Sequence, residues 1–205
     1  MYNDCWGETG WPTIDYYLFR KPSYYFVKRA FSVLQFVLRS RENTIYVTGI
    51  NDTGQSYYIE VEYGYLSFDG AVSRVHRRSV HIPPRFRGIA FTFLMEGFDT
   101  LTGCYYAKAT EKGVTINTAA LRTTEYRNLH MPKAKLTISD FSKEEGKASF
   151  MVTSDVFAHA VHFLTPSNVK FSDNYFDLLP GEKKHILAED FPDGIPFGSD
   201  FCASV

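Results

Sequence analysis

Few stretches of this chain carry residue types that could do chemistry, and Asn3-Asp4-Cys5-Trp6 is the first of them. It reads as a short strand, Tyr2 to Trp6, that ends in an indole and runs into the loop Gly7-Glu8-Thr9-Gly10. An indole offers a flat apolar face for a sugar ring and an N–H for a hydroxyl, so Trp6 is a candidate ligand platform. The competing reading of Trp6 is plain packing. Glu60 and Glu62 share one face of an alternating strand, and paired carboxylates serve general acid–base hydrolysis. Both lie on the side expected to face water, so a solvated edge is the reading adopted. His159 and His162 are three apart on a predicted strand and point to opposite faces, which excludes joint metal ligation unless a bulge intervenes. Arg74, His76, Arg77, Arg78 and His81 form a basic strip without interleaved aromatics or a net positive balance, read as surface solubility. Asp173 and Asn174 are candidates for a cation or a sugar, or for bonding local backbone N–H groups at a corner; the corner is the reading adopted.

The elements that would position these residues are mostly short strands. Pro22 suits the first turn of a helix reaching about Phe31, with Tyr24 above Lys28, Tyr25 above Arg29 and Val27 above Phe31. One strand and one helix bury too little to stand alone, so residues 1–31 are expected to need a partner outside this chain. Strands are predicted over Val33–Arg39, Thr44–Ile50, Ser56–Phe68, Ala71–Ile82, Ile89–Met95, Cys104–Thr110 and Val114–Leu121. Asp69-Gly70 marks a hairpin, and Pro83-Pro84 breaks the pairing. That spacing describes a sandwich. The polar run Arg122 to Met131 ends at Pro132, a predicted boundary. A second set follows over Lys135–Asp140, Lys147–Thr153, Phe157–Leu164, Phe171–Phe176 and Lys183–Glu189. Leu179-Pro180-Gly181-Glu182 fits a type II turn: Pro180 presets φ, and Gly181 accepts the positive φ of the next position. The last fifteen residues are expected to form an irregular edge and a short strand, or to fray.

Composition narrows the function. The formal net charge is −1, which offers no broad basic face for nucleic acid. No run of about 18 apolar residues exists, so no helical membrane span is expected. Aromatic residues make up 17%, enough to pack two sheets or to build a sugar-stacking surface; sheet packing is the reading adopted. Cys5, Cys104 and Cys202 give neither a zinc spacing nor a full disulfide framework, and buried thiols are expected, with a Cys104–Cys202 pair left open. Nothing in the pattern calls for a cofactor or a metal.

Two groups of motifs resemble the β-mannosidase-like family 2 glycoside hydrolases. The first is Asn3-Asp4-Cys5-Trp6, Trp11, Ile14-Asp15-Tyr16-Tyr17, Tyr24-Tyr25 and Lys28-Arg29-Ala30-Phe31. It is similar to the last strand, loop and helix of that family's catalytic (β/α)8 barrel. The second is Asn51-Asp52-Thr53, Leu129 to Leu136 and Phe171 to Glu182, similar to the family's C-terminal immunoglobulin-like domains. Gly7 stands where the family usually has proline, and so does Ser32-Val33 before the first sandwich strand.

The resemblance implies a mainly β chain: two tandem immunoglobulin-like β-sandwiches, 32–128 and 129–205, preceded by the last strand and helix of a truncated barrel over 1–31. It implies a retaining exo-glycosidase parent acting on a terminal β-mannoside or related glycan, in a periplasmic, extracellular or lysosomal compartment. The two catalytic glutamates would lie on earlier barrel strands, so no residue here takes a catalytic role and the chain alone is expected to be inactive. Trp6 would line the sugar subsite, with Asn3 and Asp4 holding the strand end. The related exo-glucosaminidases share these motifs. A reading from another class is a non-catalytic carbohydrate-binding or adhesion protein of two sandwiches.

Overall fold

Strand-forming sequence dominates because alternating apolar residues recur in runs too short for helices, each closed by turn chemistry. The computed structural model describes residues 10–163, 165 and 168–191, with the backbone of 202 and 203. Those residues are mainly β and separate into two compact units. One takes residues 32–132. The other joins the described residues before 32 to those after 132.

In the 32–132 unit, β1 (Leu34–Arg41), β2 (Thr44–Asn51) and β5 (Phe86–Leu94) form one sheet in the order β1-β2-β5. The other sheet has the order β4-β3-β6-β7, from β3 (Tyr57–Ser67), β4 (Ser73–Ile82), β6 (Gly103–Glu111) and β7 (Val114–Leu121). Their inner faces share a core of Phe36, Val47 and Phe91 from the first and Ile59, Val61, Val80, Ile82, Ala107 and Ala109 from the second. Asn117 on β7 closes the gap between the sheets: its Oδ1 accepts from the Phe36 N–H at 3.0 Å, and its Nδ2 donates to the Phe36 carbonyl at 2.8 Å. Asn51 fixes the end of β2. It is fully buried, donates to the carbonyls of Gln55 and Pro83 at 2.8 Å each, and accepts from the Thr53 amide and hydroxyl. The Asp69-Gly70 hairpin forms as expected, with Asp69 accepting from the Ala71 N–H. Cys104 is a buried thiol on β6.

In the other unit, β8 (Leu136–Glu144), β9 (Lys147–Ser154), β13 (Lys184–Glu189) and β11 (Lys170–Phe171) form the sheet β11-β13-β9-β8. Facing it is β12-β10-β14, from β10 (Ala158–Phe163), β12 (Phe176–Leu178) and β14 (Cys202–Ala203). Phe150, Val152, Phe171 and Ile186 meet Val161, Phe163, Phe176 and Leu178 in one core. The predicted turn forms as read: Gly181 has φ +71, and the Glu182 N–H bonds the Leu179 carbonyl at 3.0 Å. Helix α1 (Pro22–Ala30) begins on its proline, as expected.

One expectation is corrected here. The strand predicted over Phe171–Phe176 is broken at 172–175, because Tyr175 turns to φ +54 and Asn174 turns its side chain into the fold. Within its own unit, the helix rests on the corner that this break creates.

Candidate functional site

Asn3, Asp4 and Trp6, together with the predicted strand Tyr2–Trp6, lie outside the described residues. What the structure does place is the segment that follows them. Ile14 pairs with Arg20 in an antiparallel bridge, and the Lys21 N–H bonds the Thr13 carbonyl at 3.0 Å, so the chain doubles back just before α1. Inside that loop Asp15 Oδ1 accepts from the Phe19 N–H at 2.8 Å.

Helix α1 then meets the 171–175 corner. Where a β-ladder is interrupted, backbone carbonyls lose their strand partners and need other donors. Here the donors are basic side chains. Arg20 Nη1 reaches the Phe171 carbonyl at 3.3 Å, and Lys28 Nζ the Ser172 carbonyl at 2.6 Å. Arg29 spans the rest: Nη1 to Asp173 Oδ1 at 2.5 Å and to the Asn174 carbonyl at 2.9 Å, Nη2 to the Tyr175 carbonyl at 2.9 Å. Lys184 Nζ holds the other Asp173 oxygen at 3.0 Å. The planar guanidinium suits such a task, because its donors leave in fixed directions. Lys28 and Arg29 also occupy the last helical turn, where cations favour the carbonyl end of the dipole.

Tyr25 is the apolar half of this contact. It is buried against Tyr175, with ring centroids 6.1 Å apart. Burial raises its phenol above the ordinary range, with the neighbouring Arg20 opposing. Tyr175 is raised by burial too, and its other face stacks on His162 at 5.2 Å, nearly parallel. Asn174 locks the corner from inside, its Oδ1 accepting from the Phe163 N–H at 3.0 Å and from the Tyr175 N–H at 3.1 Å. Asp173 accepts from the Asn174 N–H. The corner reading of Asp173 and Asn174 is thus the one the structure supports.

The remaining candidates resolve individually. A bulge does occur on β10, where Ala160 has φ +52 and the register slips between Ala158 and Val161. The two histidines nonetheless take separate partners: His159 Nδ1 lies 2.6 Å from Asp177 Oδ1, and His162 Nδ1 lies 3.1 Å from the Ala160 carbonyl. Glu60 is exposed. Glu62 is bonded by Arg77 Nε and Nη2 at 3.0 and 2.8 Å and by the Tyr106 hydroxyl at 3.3 Å. Burial raises the Tyr106 phenol strongly, and the Glu62 charge adds to it. The basic strip on β4 is not free of aromatics in space. Tyr58 stacks on His81, Tyr63 on His76, and Arg78 lies over Phe91, all supplied by neighbouring strands that the linear run did not reveal. Sequence reasoning missed Arg20, Lys28 and Arg29 as contact residues. The helical spacing that set Lys28 and Arg29 beside Tyr24 and Tyr25 gave no sign of acceptors, which lie about 150 residues away.

Comparison with known proteins places this geometry. Residues 131–190 match a family model described as an Ig-fold domain, Ig_mannosidase. The solved β-D-mannosidase of Dictyoglomus thermophilum superimposes with a TM-score of 0.84 at 29% identity, over 91% of this chain and 23% of that one. The chain is thus similar to β-mannosidases in sequence and in fold. Beta-mannosidase B of Aspergillus niger is 23% identical over 202 residues, 90% of this chain and 24% of the longer protein. The Amycolatopsis orientalis exo-chitosanase CsxA shares the fold, with a TM-score of 0.60 at 18% identity over 91% of this chain and 27% of its own. The chain therefore spans about a quarter of the length of the relatives it matches.

Proposed function

We propose that this chain is the C-terminal quarter of a retaining exo-glycosidase that removes terminal β-mannosides. In this reading residues 1–31 close the catalytic (β/α)8 barrel, and two immunoglobulin-like sandwiches near 32–128 and 129–205 follow it. The observation that carries the reading is the continuous superposition on a β-D-mannosidase over 91% of the chain. The parent would use a glutamate nucleophile and a glutamate acid/base about 5–5.5 Å apart, both on parts of the barrel outside this chain. This chain would contribute one wall of the sugar pocket. Trp6 would end the eighth strand, where (β/α)8 sites form, and stack on the sugar beside the scissile bond, with Asn3 and Asp4 holding the strand end.

The test is a longer protein. The DNA upstream of Met1 is expected to continue the reading frame through barrel strands, and the encoded enzyme to hydrolyse aryl β-mannosides faster than aryl β-glucosaminides. Trp6→Ala is expected to reduce kcat/KM by about 30- to 1,000-fold, on the order of 2–4 kcal/mol, with part of the loss in kcat. A reversed substrate preference would make the parent a glucosaminidase. A start site or signal sequence immediately upstream, with no barrel, would sink the proposal in favour of a binding protein.

A further inference from the structure

We infer that Arg29 is a positioning residue: by clamping α1 onto the 173–175 corner, it fixes the loop 13–21 that leads into the helix. The inference rests on the glycosidase reading for its consequence at the sugar site, but the clamp itself stands on contacts within this chain.

Four carbonyls and one carboxylate of the successive residues 171–175 receive bonds from the segment 20–29, and Arg29 alone supplies three of those bonds. Its side chain is about one-third exposed, and that of Asp173 about half as much, so these bonds are only partly screened. The apolar support is narrow by comparison. Tyr25 is the one helical residue that is buried, while Phe26 and Val27 on α1 and Phe31 beside it are exposed at 54, 45 and 82%. Among the described residues, the core cluster built from strands β8 to β13 and the loops beside them includes none from the helix. The hold of α1 on its unit is therefore mostly polar, with Tyr25 against Tyr175 as its apolar anchor.

The position is passed backward along the chain. Lys21, next to the helix, bonds the Thr13 carbonyl, and Arg20 pairs with Ile14, so residues 13–21 form a closed loop whose placement follows that of α1.

The experiment is amide hydrogen exchange on the 205-residue chain carrying Arg29→Met, Arg29→Lys or Asp173→Asn. Protection across residues 22–30 is expected to fall about tenfold or more in Arg29→Met, as charge-assisted bonds to several acceptors are lost. The Lys21 and Asp15 amides should loosen with it, while β9 and β13 keep their protection. Arg29→Lys should fail to rescue, since an ammonium cannot serve the three acceptors in the guanidinium's directions. Asp173→Asn, which keeps both carbonyl acceptors, should give a smaller loss. Unchanged protection of 22–30 in Arg29→Met would overturn the clamp. Loosening of α1 without Lys21 and Asp15, or equal loss in β9 and β13, would overturn the positioning role. In the longer enzyme Arg29→Met should lower kcat/KM at an unchanged unfolding midpoint. Absence of turnover in the unsubstituted longer enzyme would instead remove the glycosidase reading and leave the exchange result standing.

Discussion

Asn174→Ala tests the corner from the inside. Asn174 is 5% exposed, and its Oδ1 accepts two backbone N–H groups, one of them on Phe163 in the opposing sheet. Alanine removes the acceptor and leaves the buried Phe163 N–H without it. A net hydrogen bond contributes about 1 kcal/mol, and an unsatisfied buried donor costs about 1–3 kcal/mol. The Tyr175 N–H is only part-buried, so water can take over much of that bond and it adds less. The expected loss is about 2–4 kcal/mol. Leucine would introduce bulk where the site is polar, so alanine is the cleaner change. Urea unfolding followed by intrinsic fluorescence should show a lower midpoint for the unit that contains Phe163, with an unchanged denaturant slope. Tyr175 holds a positive φ, which for a tyrosine is sparsely populated and persists only where its surroundings demand it. Without Asn174 that conformation loses one of its supports, and α1 should loosen as well, because the Tyr175 carbonyl is an Arg29 acceptor. A loss below about 0.5 kcal/mol would refute the reasoning and make the corner a consequence of the chain path around it.

The other unit offers a parallel case in Asn51→Ala. That change strips five bonds from a fully buried side chain, and a loss of about 2–4 kcal/mol in urea is expected, confined to the 32–132 unit. Alkaline pH should destabilise both units. Burial raises the folded-state phenols of Tyr25, Tyr175, Tyr65, Tyr105 and Tyr106, so their contribution is complete below the unfolded value near 10 and is lost as pH rises beyond it. Thermal midpoints measured from pH 8 to 11 should be flat at first and then decline above about 10; a rise there would contradict the burial argument.

What could be read from the sequence was local. The Leu179–Glu182 turn was legible because proline and glycine fix its dihedrals without help from the rest of the fold. The Asp69-Gly70 hairpin and the proline start of α1 were legible on the same grounds. Ile59, Val61 and Tyr63 point inward as their period predicts, although Tyr63 is only half-buried. The break at 172–175 was not legible, because Phe171 to Phe176 alternates like any strand. The competing interaction is Asn174 reaching a backbone amide eleven residues away on another strand. The β10 bulge was hidden in the same way, since nothing about Ala160 announces a positive φ. Nor could helix periodicity show what α1 rests on. Tyr24 with Lys28 and Tyr25 with Arg29 describe faces of a helix, not which face is covered.

The partner of α1 bears on how the whole chain is organised. Residues 10–31 precede the 32–132 unit in sequence but belong with the unit that follows it, so the chain leaves one unit, builds the other and returns. Such a path has large loop-closure entropy against it, and that cost must be met by contacts made only on return. The basic side chains of 20–29 and the carbonyls of 171–175 are contacts of this kind. They are charge-assisted and partly buried, and they include the one buried helical residue, Tyr25. The exposed Trp11, Tyr16, Tyr17, Phe26 and Phe31 lie in the same stretch, with side chains 54 to 95% accessible. The segment is thus held to its own unit chiefly by polar bonds, while most of its aromatic surface stays exposed.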